Sequence, residues 1–231
     1  MQARRSTVAH KYAMAISGLI MLGYLLVHMY GNLKIYQGKE MFDSYLEGLR
    51  DMFYPYLPHD GALWIIRVVL LASVLVHAYA AITLWRRNRA AAGLVGGKRY
   101  HSTQNRKGFQ RSYASFTMRW GGITIALFIV FHLLQMLANS IHPGGASDSK
   151  YDRVVNGFEI WWVVLFYTFA IVAVGFHLWH GFWSALTTLG QNRSNKRTES
   201  KLNAMAIGLA ALLTIGFLLP PYSVYFFGLG G

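Results

Sequence analysis

The sequence predicts an all-α integral membrane bundle of five transmembrane helices, with a cytoplasmic amino terminus and a carboxyl terminus outside. Three observations carry that expectation. Of 231 residues, 54% are hydrophobic and only 13% are charged, about half the charge of an average soluble domain. Five apolar stretches are long enough to cross a bilayer, which takes about 20 residues. Lys+Arg number 22 against 9 Asp+Glu, a net +13, and the excess sits in alternate connections. A soluble nucleic-acid binder of this charge would be charge-rich throughout, so no nucleic-acid partner is expected. Without cysteine, the chain itself can hold no disulfide, thiolate nucleophile, zinc–cysteine site or cysteine-ligated iron–sulfur cluster.

The spans run over about 12–33, 62–85, 117–140, 158–189 and 202–227, in one membrane domain covering 1–231. Each must be helical, because lipid offers no partner to an open backbone amide. The first follows Arg4, Arg5 and Lys11 and continues to full span length, unlike a cleaved leader. The second ends at Arg86, Arg87 and Arg89, and Arg119 lies just inside the third. The fourth is longer than a bilayer needs and is expected to tilt or protrude. The fifth carries neither histidine nor charge, and Tyr222, Tyr225, Phe226 and Phe227 read as an interfacial belt at its end.

Between spans two and three lie Lys98, Arg99, Arg106, Lys107 and Arg111; between four and five lie Arg193, Lys196, Arg197 and Lys201. Together with the amino-terminal cations, one side collects 16 of the 22 basic residues and a single acid, Glu199. The other side has six basic residues and eight acids. The positive-inside rule therefore sets the amino terminus inside. Gly93–Gly97 (GLVGG) reads as a loop, and Asn192-Arg193-Ser194 is a glycosylation sequon on the wrong side to be used.

Four of the five spans carry an embedded histidine: His28, His77, His132 and His177, with His180 beside the last. Ionisable groups inside a bilayer are costly and point to function. Counting about 1.5 Å per residue from the span ends pairs His28 with His132 in an outer layer and His77 with His177 in an inner one, roughly 10 Å apart. His180, one turn on, is an alternative ligand, a propionate partner or a quinone-site residue. Two stacked pairs of facing imidazoles suit two b-type haems, each iron closed by two axial ligands and therefore built for electron transfer. No carboxylate lies mid-span, which disfavours zinc or non-haem iron. Gly31, Gly121, Gly122, Gly175 and Gly181 would let a flat ring approach the backbone, or serve ordinary helix packing. Arg67 and Arg119 either hold haem propionates or snorkel to the headgroups. His10, His59, His101 and His142 are expected on the solvated surface. The aromatic-rich connection with Tyr54 and Tyr56, together with Trp64, is a candidate quinone site or an interfacial anchor.

Three segments resemble a known family. They are ISGLIMLGYLLVHMYGNL (16–33), SFTMRWGGITIALFIVFHLLQ (115–135) and FHLWHGFWSALTTLG (176–190). With the SG-x9-H-x2-GN pattern at His28 and FHxxHG-x-WS at His177, they are similar to the cytochrome b membrane anchor of succinate dehydrogenase and fumarate reductase, of the single-chain, five-helix, di-haem type. The resemblance covers nearly the whole chain. It implies axial ligands at His28, His77, His132 and His177, and it favours His177 over His180 because members carry Gly thirteen residues after the ligand, as Gly190 stands here. It also implies a flavoprotein with FAD and an iron–sulfur subunit on the cytoplasmic face, and exchange of electrons with membrane quinone, typically menaquinone, in a bacterial inner membrane. The chain alone would have no enzymatic activity, and its assembly into a higher oligomer is left open. Two alternatives stand beside this: a cytochrome b subunit of a hydrogenase or formate dehydrogenase, and a haem-free anchor or transporter.

Overall fold

The computed structural model describes residues 6–94, 108–190 and 196–230. The cations Arg4, Arg5, Lys98, Arg99, Arg106, Lys107 and Arg193, the side chains of Arg111 and Lys196, His101 and the 192–194 sequon fall outside the description. The described residues form helices and turns only. They are α1 (Thr7–Leu33), α2 (Lys39–Arg50), α3 (Gly61–Leu94), α4 (Gly108–His132), α5 (Lys150–Phe158), α6 (Trp161–Thr188) and α7 (Lys196–Phe227). Five of these are long and apolar enough to span a membrane.

The spanning helices outrun their apolar cores. Ser6 caps α1, its side chain accepting from the Val8 amide, so the helix starts well before the apolar run. His10 is thereby drawn into the bundle. The expectation of a solvated His10 is wrong: it is 5% exposed, its Nδ1 is 3.1 Å from the Ser6 carbonyl, and its ring lies beside Tyr79 of α3. Gly93 and Leu94, read as the start of a loop, are instead the last residues of α3.

Two short helices were not foreseen. α2 and α5 lie over the end of the bundle that the charge pattern assigns to the outside. Their sequences are amphipathic, and they bury Phe42, Tyr151, Val155 and Phe158 against Val163, Val164 and Val224. Ser149 caps α5 and donates to Asp43 Oδ2 at 2.9 Å, and Lys39 meets Asp152 at 2.7 Å, which ties α2 to α5.

The packing order matters for everything that follows. α1 packs on α3 and on α6; α6 packs on α4; α7 lies against both α6 and α1. Neither α1 and α4 nor α3 and α6 form a packed pair. Among the described residues the four helices thus form the packed pairs α1–α3 and α4–α6, joined through α1–α6, with α1–α4 and α3–α6 standing farther apart. Close approach is enforced at Gly175, where a Cβ would overlap Thr214 Oγ1 of α7.

Beyond α2 the chain turns through 51–60 before entering α3. His59 closes this turn: its Nδ1 is 2.7 Å from Asp51 Oδ1, and its Nε2 is 3.8 Å from Glu47 Oε1 and 3.9 Å from Asp60 Oδ2. Arg50 faces Glu47 and Asp60 as well. The hydrogen bond to Asp51, with the surrounding carboxylates, holds the exposed His59 imidazole above its ordinary pKa. A raised pKa means the pairing is fully present below the ordinary value of about 6.5 and is lost as pH rises through the raised one. Amide exchange across 51–60, corrected for the intrinsic rate, should therefore quicken as the medium goes from mildly acidic to alkaline. His59→Gln should flatten that response; an identical profile in both proteins would contradict the assignment.

Candidate haem-binding sites between unpacked helices

The embedded histidines fall into two facing pairs. His28 of α1 and His132 of α4 have ring centroids 5.8 Å apart, with planes at 78°. His77 of α3 and His177 of α6 are 6.1 Å apart at 58°. Each pair bridges one of the two helix pairs that do not pack. The separation fits iron between them. Two metal–imidazole bonds of about 2 Å, and roughly 1 Å from nitrogen to ring centre on either side, would place two such rings about 6 Å apart.

Three helices give the spacing of the layers independently. Gly18 of α1 faces His77, with a Cβ there 3.4 Å from His77 Cε1, and His28 comes ten residues later. On α6, Tyr167 touches His132 and His177 comes ten residues later. On α4, Gly122 faces His177 Cε1 at 3.8 Å and His132 is ten residues on. Ten residues of helix rise about 15 Å. The layers are thus farther apart than the roughly 10 Å expected from counting to span ends.

Ring nitrogens are oriented by what their partners can accept. His77 Nδ1 is 3.1 Å from the Met14 carbonyl, an acceptor only, so Nδ1 carries the hydrogen and Nε2 keeps its lone pair. Ser17 Oγ, itself donating to Ala13 O, lies 3.3 Å from the same nitrogen. His132 Nδ1 is 3.1 Å from the Tyr167 hydroxyl. His28 stacks on Tyr24 at 5.2 Å and 13°. His177 Nδ1 is buried and meets no hydrogen-bond partner among the described residues. His180 stacks on Trp179 at 4.6 Å, and its buried Nε2 likewise lacks a partner. It is His177, not His180, whose ring is set opposite His77.

A family model described as succinate dehydrogenase/fumarate reductase transmembrane subunit matches residues 101–217, half of the chain. The chain belongs to that family. Comparison with curated proteins and with solved structures returned no match. The matched stretch holds His132, His177 and His180; His28 and His77 of this transmembrane subunit lie before it.

Other residues singled out from the sequence are distributed as follows. Arg67 stacks on Trp64 at 5.0 Å and lies within electrostatic reach of Tyr24. Tyr24 in turn stacks on His28. Arg119 lies one turn before Gly122, on the side of the His77–His177 pair, and is exposed. Tyr54 and Tyr56 are exposed, the latter 91%. His142 is exposed on its loop, with Nε2 2.6 Å from Asn139 O. Of the glycines, Gly122 does face an imidazole. Gly31 instead receives the Tyr45 ring of α2, with a Cβ 3.4 Å from its hydroxyl, and nothing lies within 4 Å of a Cβ at Gly181. Tyr24, Gly18, Ser17, Gln135 and Tyr167 surround the histidines and were not singled out beforehand.

The subunit's cationic cluster at the α2–α5 end includes a depressed lysine. Burial, then the charges of Arg153, Arg50 and Arg67, push the Lys150 ammonium below its ordinary pKa. Its Nζ donates to the Met136 carbonyl at 3.2 Å.

Proposed function

We propose that the subunit is a di-haem b anchor that passes electrons between an iron–sulfur partner and membrane quinone, menaquinone in particular. One observation carries the reading: two facing histidine pairs, with ring centroids 5.8 Å and 6.1 Å apart, each across a pair of helices that do not pack on one another. His28 and His132 hold one haem, His77 and His177 the other. Bis-imidazole haem supplies reversible one-electron transfer and has no open position for oxygen. The chain's own residues set ring tautomers, exclude water and neutralise propionates, with Arg67 serving the first haem and Arg119 the second. His180 lies outside the ligand set.

The basic face, with 16 of 22 cations, is the docking side for the iron–sulfur and flavoprotein subunits and lies in the cytoplasm. Reporter fusions at the two termini should therefore report opposite sides; the same side would contradict this. Quinone exchanges at the other end, beside Tyr54, Tyr56 and Trp64, where Arg67 lies over the Trp64 ring and Tyr24 stacks on His28.

The test is reduction by the physiological donors. In the intact complex, succinate or menaquinol should reduce the b-type absorption, and loss of the partner subunits should abolish the response to succinate alone. Haem that dithionite reduces but neither donor reaches would contradict the reading.

A further inference from the structure

We propose that Tyr167 is a positioning residue for His132, its hydroxyl fixing the imidazole tautomer and plane so that Nε2 faces His28. The proposal rests on the di-haem reading above.

The hydroxyl sits between two partners. Tyr167 OH donates to Gln135 Oε1 at 2.9 Å and lies 3.1 Å from His132 Nδ1. A phenol has one hydrogen to give, and here it goes to Gln135. The hydroxyl can then only accept from His132, so Nδ1 carries the hydrogen and Nε2 keeps its lone pair. Both directions agree with a ligand lone pair at Nε2, and reversing them would put a hydrogen there.

The arrangement is buried, and of its polar atoms the Gln135 amide nitrogen alone meets no partner among the described residues. Tyr167 is 5% exposed and Gln135 2%. The Tyr167 ring is clasped edge-on by Phe128 and Phe158, each at 4.9 Å. Gln135 owes its place to the π-helical turn over Leu133–Leu137, directly after His132. Such bulges recur at functional sites because they re-aim side chains within a helix. The Gln135 amide nitrogen packs at Gly157, where a Cβ would lie 2.6 Å from it. His77 has a different acceptor, the Met14 carbonyl, so the second pair is an internal control.

A hydrogen bond at Nδ1 raises the basicity of a ligating imidazole and so favours ferric iron. In the intact complex, Tyr167→Phe keeps the ring and deletes the acceptor. Both haems should remain. The haem that His132→Ala removes should shift about tenfold toward the ferrous form, a rise of about 59 mV for one electron. Its low-spin EPR signal should move, while the other haem changes in neither respect. If Tyr167→Phe fails to assemble, Gln135→Met, which frees the hydroxyl to turn, should move the same signal. An unchanged potential and EPR signal, or equal shifts in both haems, would overturn the proposal. Absence of b-type haem from the unaltered complex would instead overturn the di-haem reading beneath it.

Discussion

His28→Ala and His132→Ala should remove the same b-type haem, and His77→Ala and His177→Ala should remove the other. This is the largest effect the structure leads us to expect, because losing one of two axial imidazoles opens an iron position or releases the cofactor. The grouping follows from centroid distances of 5.8 Å for the first pair and 6.1 Å for the second. Potentiometric titration of the four variants should sort them into two classes. His180→Ala should keep both haems, since its ring is stacked on Trp179. If His28→Ala and His77→Ala remove the same haem, the two-layer arrangement fails. If His180→Ala removes the haem that His177→Ala spares, the ligand on α6 is one turn away.

Gly18→Leu should abolish the haem of the His77–His177 pair and spare the other. A Cβ at Gly18 already lies 3.4 Å from His77 Cε1 and 3.6 Å from Nδ1. The remaining carbons of leucine would extend into the space that the imidazole and its ring partner need. Overpacking of this kind commonly costs about 1–3 kcal/mol, and here the strain falls on a ligand. Gly18→Ala, at ordinary contact distance, should retain both haems. Two intact haems in Gly18→Leu would show that the face of α1 opposite His77 plays no part.

The large features were legible because membranes constrain them. Span count follows from apolar length, and the pairing of His28 with His132 follows from helical rise. Composition marks where the apolar run stops, not where the helix does, and α3 continues to Leu94, so counting from apolar ends understates the layer separation. Capping by Ser6 and the long basic end of α3 extend α1 and α3 past their apolar runs. His10 was misjudged for the same reason. α2 and α5 are short amphipathic segments whose apolar faces are buried only by packing on the bundle, which no local pattern announces. The π-helical turn and the Tyr167–Gln135 contact depend on tertiary packing, and no spacing in the sequence announces them.

The most direct measurement is the haem content and redox spectrum of the purified complex. Pyridine haemochrome analysis against the amount of this chain, with a dithionite-reduced minus oxidised spectrum, should give two low-spin b-type haems per chain. One haem per chain, none, or a high-spin spectrum with an open iron position would contradict the account.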